Sequence, residues 1–183
     1  MADKKLIVIT GATGSGKTSI RDYLVEKYHA GKIITHTTRK PRGKEQNNVD
    51  YYFETDESFA KLHLLEHVKY VTAQYGSSME GINKAFENHD VAVIVLDTKG
   101  AITYARKLKD QAEIWFIKVD DPDTLRQRMQ KRGDESQRIE KRLASDEFMR
   151  DMHLPDELKN VATVIDNNDW QVAQKQVDNL MTK

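Results

Sequence analysis

The amino-acid sequence predicts an α/β fold built on a central, mainly parallel sheet. Three observations carry that expectation. Short β-branched runs alternate with stretches of helical periodicity, the pattern made by parallel strands joined by crossover helices. A glycine-rich turn, GATGSGKT, joins the first such strand to the first helix. Two almost wholly polar segments, 40–50 and 131–137, interrupt the alternation and read as excursions from the layered core.

The elements follow in order. KLIVIT, ending at Thr10, is apolar, β-branched and bounded by glycine, which predicts a buried strand. From 17 to 28, Ile20, Leu24 and Tyr28 recur at helical spacing. KIITH, 32–36, reads as a second short strand, and 40–50 as a loop. LLEHVKYV, 64–71, alternates roughly and reads as a strand, followed by a helix over 79–89. VAVIVLD, 91–97, is the most hydrophobic strand and runs through TKGA into another helix. AEIWFIKV is the next strand, and DPDTLRQRMQKR opens a helix with Asp and Pro in capping positions. RGDES breaks the pattern, and a charged helix continues to about Arg150. VATVI is the last strand, after which Trp170, Ala173, Val177, Leu180 and Met181 share one face of a closing helix. No internal repeat or low-complexity tract is visible.

Bulk composition bounds the function. The chain has 183 residues, a length that fits one domain with excursions. Lys and Arg number 29 against 29 Asp and Glu, and zero net charge argues against a general nucleic-acid or membrane coat. Without cysteine there is no disulfide framework, thiolate nucleophile or Cys-based zinc site. No apolar run approaches the roughly 20 residues that span a bilayer. MADKK leads straight into a strand without a signal-peptide pattern. These features predict a cytoplasmic, single-domain protein with neither nucleic acid nor membrane as partner.

GATGSGKT, 11–18, fits G-x-x-x-x-G-K-[ST]. Glycines let the backbone fold into a nest whose N–H groups face phosphate oxygens, and a helix starting there adds its positive end. Gly11, Ala12, Thr13, Gly14, Ser15 and Gly16 form the nest, Lys17 reaches the terminal phosphates, and the Thr18 hydroxyl can ligate magnesium. A plain glycine turn would share the composition, but not the placement between a buried strand and an amphipathic helix. The motif predicts a nucleoside triphosphate and Mg²⁺, on a P-loop NTPase-type three-layer fold. It leaves the phosphate acceptor open.

A second basic loop addresses that question. THTTRKPRGKE puts Arg39, Lys40, Arg42 and Lys44 within six residues of a neutral chain. A charge run by itself is usually a solvated face. Here two guanidinium forks flank Pro41, each matching phosphate oxygens two at a time, with the Tyr51 hydroxyl nearby. The group suits a second phosphate.

TTRKPRGKEQNNVDYYF resembles the signature segment of guanylate kinases. The likeness continues in order through LLEHVKYVTAQYGSS, VIVLDTKGA, RGDESQRIEKRL and IDNND, and so covers nearly the whole chain. The resemblance implies that Arg39, Arg42, Tyr51 and Tyr75 hold the phosphate of GMP. Thr35, where the family usually has serine, and Ser77 would bond the guanine edge. Glu66 would accept from guanine N1–H and the N2 amine, a role that suits a double acceptor. Asp97 would sit near the acceptor base and the magnesium shell. Arg128, Arg132 and Arg142 would be the lid arginines, and with Lys17 and Arg39 the catalytic cations. Asn167 would lie near adenine. The implied division is a core of about 1–32, 84–125 and 150–183, an NMP-binding region of about 33–83 and a lid of about 126–149. The implied reaction is ATP-dependent phosphorylation of GMP, with dGMP as a second acceptor, by a monomer or a homodimer.

The chain also departs from the family. Val95 stands where an acidic residue is usual, Lys99 replaces a glutamine, the lid is about one residue short, and the segment between Phe53 and Glu66 is trimmed. Taken singly, Tyr51 and Tyr75 would be core aromatics, Glu66 a solvent-facing strand residue, and Asp97 a helix cap. The lid arginines would be helical partners of Glu135, Glu140 or Asp146. HLLEH, 63–67, fits a zinc-peptidase pattern, but a helix end running into a strand would separate its two imidazoles. His29, His36, His89 and His153 form no ligand spacing and are expected at the surface. Two alternatives stay open: a related kinase for another phosphorylated acceptor, and a kinase-derived binding module without turnover.

Overall fold

The computed structural model describes residues 4–41, 43–69 and 73–182. Arg42 of the expected clamp, and the last two residues of the strand expected over 64–71, lie outside the described residues. In chain order the elements are β1 (Lys5–Thr10), α1 (Lys17–Tyr28), β2 (Gly31–Lys32), β3 (His36–Thr37), β4 (Tyr52–Phe53), α2 (Asp56–Phe59), β5 (Leu64–Lys69) and β6 (Gln74–Ser78). Then come α3 (Met79–Ala85), β7 (Val91–Val95), α4 (Thr98–Leu108), β8 (Ala112–Lys118), α5 (Pro122–Arg132), α6 (Ser136–Leu143), α7 (Asp146–Asp151), β9 (Ala162–Asp166) and α8 (Trp170–Met181).

A five-stranded sheet runs β2-β7-β1-β8-β9, and its pairings are parallel. Strand alternation sorts its side chains into two cores. Leu6, Val8 and Ile94 face Tyr104 and Leu108 of α4. Ile7, Ile9, Trp115 and Ile165 face Ile20 and Leu24 of α1 and Ala173 and Val177 of α8. Helices thus cover both faces, which is why β1, β7 and β8 read as continuous apolar runs. Each fully buried aliphatic side chain here contributes about 1.5–3 kcal/mol. A third cluster, including Leu125, Met129, Ile139 and Phe148, holds α5, α6 and α7 together.

The segment between β2 and α3 forms a second sheet, β4-β3-β6-β5. Here the structure departs from the sequence expectation. KIITH is not one strand. Lys32 pairs with Val93 in the large sheet, whereas His36 pairs with Gly76 in the small one. Three residues between them carry the chain from one sheet to the other. The charged helix expected up to Arg150 is two helices, because Ser145 Oγ accepts the Phe148 amide at 3.2 Å and starts α7 anew. Strand β6 and the capped turn of α2 had no strong periodic signal. Among the described residues, no helix is long and apolar enough to cross a membrane.

Candidate active site

The first centre is the loop after β1. Lys17 opens α1, so the loop amides sit at a helix N-terminus, where anions are favoured. Gly16 has φ 97°, and a Cβ there would lie 2.2 Å from Asn167 Nδ2. Only glycine lets Asn167, from the loop after β9, donate to Ser15 O at 2.6 Å. Lys17 Nζ donates to Gly11 O at 2.7 Å and Ala12 O at 2.8 Å, folded against its own loop. Burial pulls its ammonium down to about 8; the Asp151 and Asp97 carboxylates oppose the shift, and Arg132 and Arg142 add to it. A cleft of about 660 Å³ opens here, lined by Thr13, Lys17, Thr18, Arg128, Arg132 and Asn167 among others. Thr10 Oγ1, Ser15 Oγ and Asn167 Oδ1 are buried beside it without a protein partner, polar capacity that suits a polar ligand.

The second centre lies on one face of the small sheet. Arg39 donates through Nε to the Tyr75 hydroxyl at 3.1 Å and spreads its fork over both Glu45 oxygens, at 2.9 and 3.0 Å. Its guanidinium lies 5.5 Å from the Tyr51 ring centre. A two-oxygen anion already occupies this fork, which shows the shape of group the fork accepts. Across the same face, Glu66 of β5 is in register with Ser77 of β6, whose hydroxyl donates to Glu66 Oε2 at 3.4 Å. Burial, then the charge of Asp97, raise the Glu66 carboxyl above its ordinary range, while Ser77 works against the rise. Thr35 and Tyr51 line a smaller cleft of about 200 Å³ together with Val95 and Arg21.

Between the centres lies Asp97. It caps α4, its Oδ1 accepting the Gly100 amide at 2.8 Å, and its Oδ2 takes Arg150 at 3.2 Å. Arg150 also donates to Thr98 Oγ1 at 3.0 Å and Asp151 Oδ1 at 2.7 Å. Sequence reasoning missed Arg150 and Asp151, which look like any other charges on a helix until α7 packs against the start of α4. Of the arginines expected in a lid, Arg128 donates to Asn167 O at 2.7 Å and Arg132 pairs with Asp134. Arg142 lines an adjoining cavity with Arg132 and Arg138. Glu140 and Glu135 pair with other arginines instead, Arg126 of α5 across to α6 and Arg138 three residues along.

HLLEH runs into β5, and its histidines go separate ways, His63 to Glu80 and His67 to Gln74. One histidine overturns the expectation of a surface position: His36 is 4% exposed.

A family model described as guanylate kinase matches residues 3–183. The guanylate kinase of Latilactobacillus sakei is 36% identical over 156 residues, 78% of this chain and 74% of that protein. That of Deinococcus radiodurans is 37% identical over 147 residues, 75% of this chain and 60% of that protein. A crystal structure of guanylate kinase from Anaplasma phagocytophilum superposes with a TM-score of 0.65 at 20% identity, covering 99% of this chain and 86% of that one, a likeness of fold. With the sequence match spanning nearly its whole length, the chain belongs to the guanylate kinase family.

Proposed function

We propose that this chain transfers the γ-phosphoryl group of ATP to GMP, giving ADP and GDP. The observation that carries the proposal is the half-buried Glu66 carboxylate, set beside Ser77 on the same face as the Arg39 fork. Guanine offers two adjacent donors to such a double acceptor. Adenine lacks that pair and would leave the carboxylate unmatched.

In this reading Glu66, Ser77 and Thr35 orient the base, while Arg39, Arg42, Tyr51 and Tyr75 hold its phosphate. Arg39 exchanges Glu45 for the acceptor phosphate, one bidentate anion for another. Lys17 leaves the Gly11 and Ala12 carbonyls for the terminal phosphoryl oxygens. An acceptor oxygen then bonds to the γ-phosphorus as the bond to ADP breaks, with no covalent link to the protein. The chain supplies position and positive charge. Arg128, Arg132 and Arg142 bring further charge when the lid segment closes and excludes water.

Magnesium fits the donor set. Thr18 lines the cleft beside Lys17, and a hard cation that keeps several waters needs few protein ligands. Both Asp97 oxygens are engaged, by Gly100 and Arg150, so Asp97 would act through water. When bound, magnesium would offset the negative charge of the phosphates. The division into core, acceptor region (about 33–83) and lid (about 126–149), and a cytoplasmic location, belong to the same proposal.

The test is a coupled ADP-release assay with ATP, magnesium and a panel of GMP, dGMP, AMP, CMP and UMP. GMP is expected to give the highest kcat/KM, with dGMP next. ADP release that ignores the acceptor, or favours another base, refutes the proposal. No turnover would favour a binding module, the reading to which Val95 lends weight.

A further inference from the structure

Strand β3 has two residues, yet it must hold Thr35 and Arg39 in place for the acceptor. Its backbone ladder is short: Tyr52 donates to Thr35 O at 2.9 Å, Glu54 to Thr37 O at 2.8 Å, and Thr38 to Gln74 O at 3.0 Å. So short a strand gains little from pairing alone. Beneath it, on the face away from Glu66 and Ser77, lies His36.

His36 joins three elements. Its Nδ1 is 2.8 Å from Glu54 Oε1, and its Nε2 is 2.7 Å from Ser78 Oγ. Ser78 Oγ accepts the Gly81 amide at 3.0 Å as the N-cap of α3. Glu54 Oε2 accepts the Ser58 hydroxyl at 2.5 Å. The donors fix the directions. The Glu54 carboxylate can only accept, so Nδ1 carries the proton, and in the neutral imidazole Nε2 then accepts from the Ser78 hydroxyl, which still accepts from Gly81. Tyr52 covers the imidazole, ring centres 4.8 Å apart, with Lys84 over the Tyr52 ring. The serine–histidine–carboxylate order matches a hydrolase triad, but Ser78 is fully buried and spends its oxygen on a helix cap, so nucleophilic chemistry has no access.

We infer that His36 is a positioning residue for acceptor recognition, locking Thr35, the residue just before β3, against Ser77 on β6 from behind the sheet. It does so through Ser78, the residue after Ser77, and through Glu54, which follows the strand paired with β3. Both base-edge hydroxyls are thereby held at fixed separation before the base arrives, an arrangement that lowers the ordering cost of binding. The inference rests on the reading of this face as a guanine site.

The test compares the wild type with His36→Leu, which loses both bonds, and His36→Gln, whose amide can still donate to Glu54 and accept from Ser78. For His36→Leu the expected result is a KM for GMP raised about 10-fold with kcat changed less than about 2-fold, because binding rather than chemistry is disturbed. KM for ATP stays level, and the GMP:AMP preference falls by about the same 10-fold. His36→Gln recovers most of the loss. Ser78→Ala combined with His36→Leu is no worse than the poorer single variant, the non-additivity of one shared linkage. Should His36→Leu not fold, as judged by thermal melting, His36→Ser admits water in the gap and is read the same way. A folded variant with an unchanged GMP:AMP preference, or fully additive losses with Ser78→Ala, overturns the inference while leaving the GMP reading intact. A wild type that does not phosphorylate GMP overturns both.

Discussion

Replacing Glu66 with Gln is the most direct perturbation of base choice. Guanine presents two adjacent donors, and in the proposed reading the carboxylate accepts both. The amide accepts one and turns its own N–H toward the other. One charge-assisted bond becomes neutral, a loss of about 1 kcal/mol, and one donor is left facing a donor in a half-buried site, about 1–3 kcal/mol more. The sum, about 2–4 kcal/mol, is roughly a 30- to 1000-fold drop in kcat/KM for GMP. AMP makes no such pair of bonds, so its kcat/KM changes little. Folding should not suffer. Burial and Asp97 raise the Glu66 carboxyl in the folded chain. The folded state thus holds that proton more tightly than the unfolded chain, and ionised Glu66 costs stability at neutral pH. Glu66→Gln is therefore expected to melt no lower than wild type at pH 7, an advantage that disappears as pH falls below the unfolded carboxyl's ordinary range. The same shift predicts that wild-type GMP preference declines on acidification before ordinary carboxylates titrate, and that the variant lacks this limb. The assay is kcat/KM for GMP and AMP from pH 5 to 8, with a melt at each pH. A folded variant whose GMP:AMP ratio moves less than about 3-fold would falsify the base assignment.

Lys17→Met should lower turnover by about 10²–10³, since a preorganised charge at the transferring phosphoryl group is lost. Burial holds Lys17 near 8 rather than 10.5, so the unfolded chain binds more protons between those values and its burial cost is fully present below pH 8. The variant should melt no lower than wild type at pH 7, and a clear fall in Tm would contradict the account of the buried ammonium. Gly16→Ala puts a Cβ against Asn167 Nδ2 at a residue with φ 97°, and should cost about 1–3 kcal/mol and raise KM for ATP; an unchanged melt and ATP titration would show that the loop relaxes. Val95→Asp adds a carboxylate at the end of β7 that can bond metal-bound water, so its magnesium midpoint should fall, within the about 10–100-fold range of outer-shell effects. A folded variant with an equal or higher midpoint makes Val95 an ordinary strand residue.

Much of the site could be read along the chain because its signals are local. The phosphate loop needs a strand end, glycines and a helix start within 18 residues, and all are contiguous. Arg39, Tyr51, Glu66 and Ser77 point to a site only as an ordered set, since each alone fits an ordinary structural role. The Arg39–Glu45 pair spans six residues and is still not legible in the sequence, because a loose surface pair and a two-pronged pairing have the same sequence signature.

The sequence by itself determined the alternation of strands and helices, the glycine-rich loop, the basic loop and the family, all of which depend on periodicity or contiguous chemistry. Tertiary structure decided where partners remote in sequence meet. KIITH was divided between two sheets because Lys32 finds Val93 while His36 finds Gly76. Asp97 became both helix cap and Arg150 partner across 53 residues. His36, expected at the surface, was buried by Glu54 and Ser78, 18 and 42 residues away. A titratable side chain enters a core only when its hydrogen-bonding capacity is met there, and whether it is met depends on packing that no local pattern encodes.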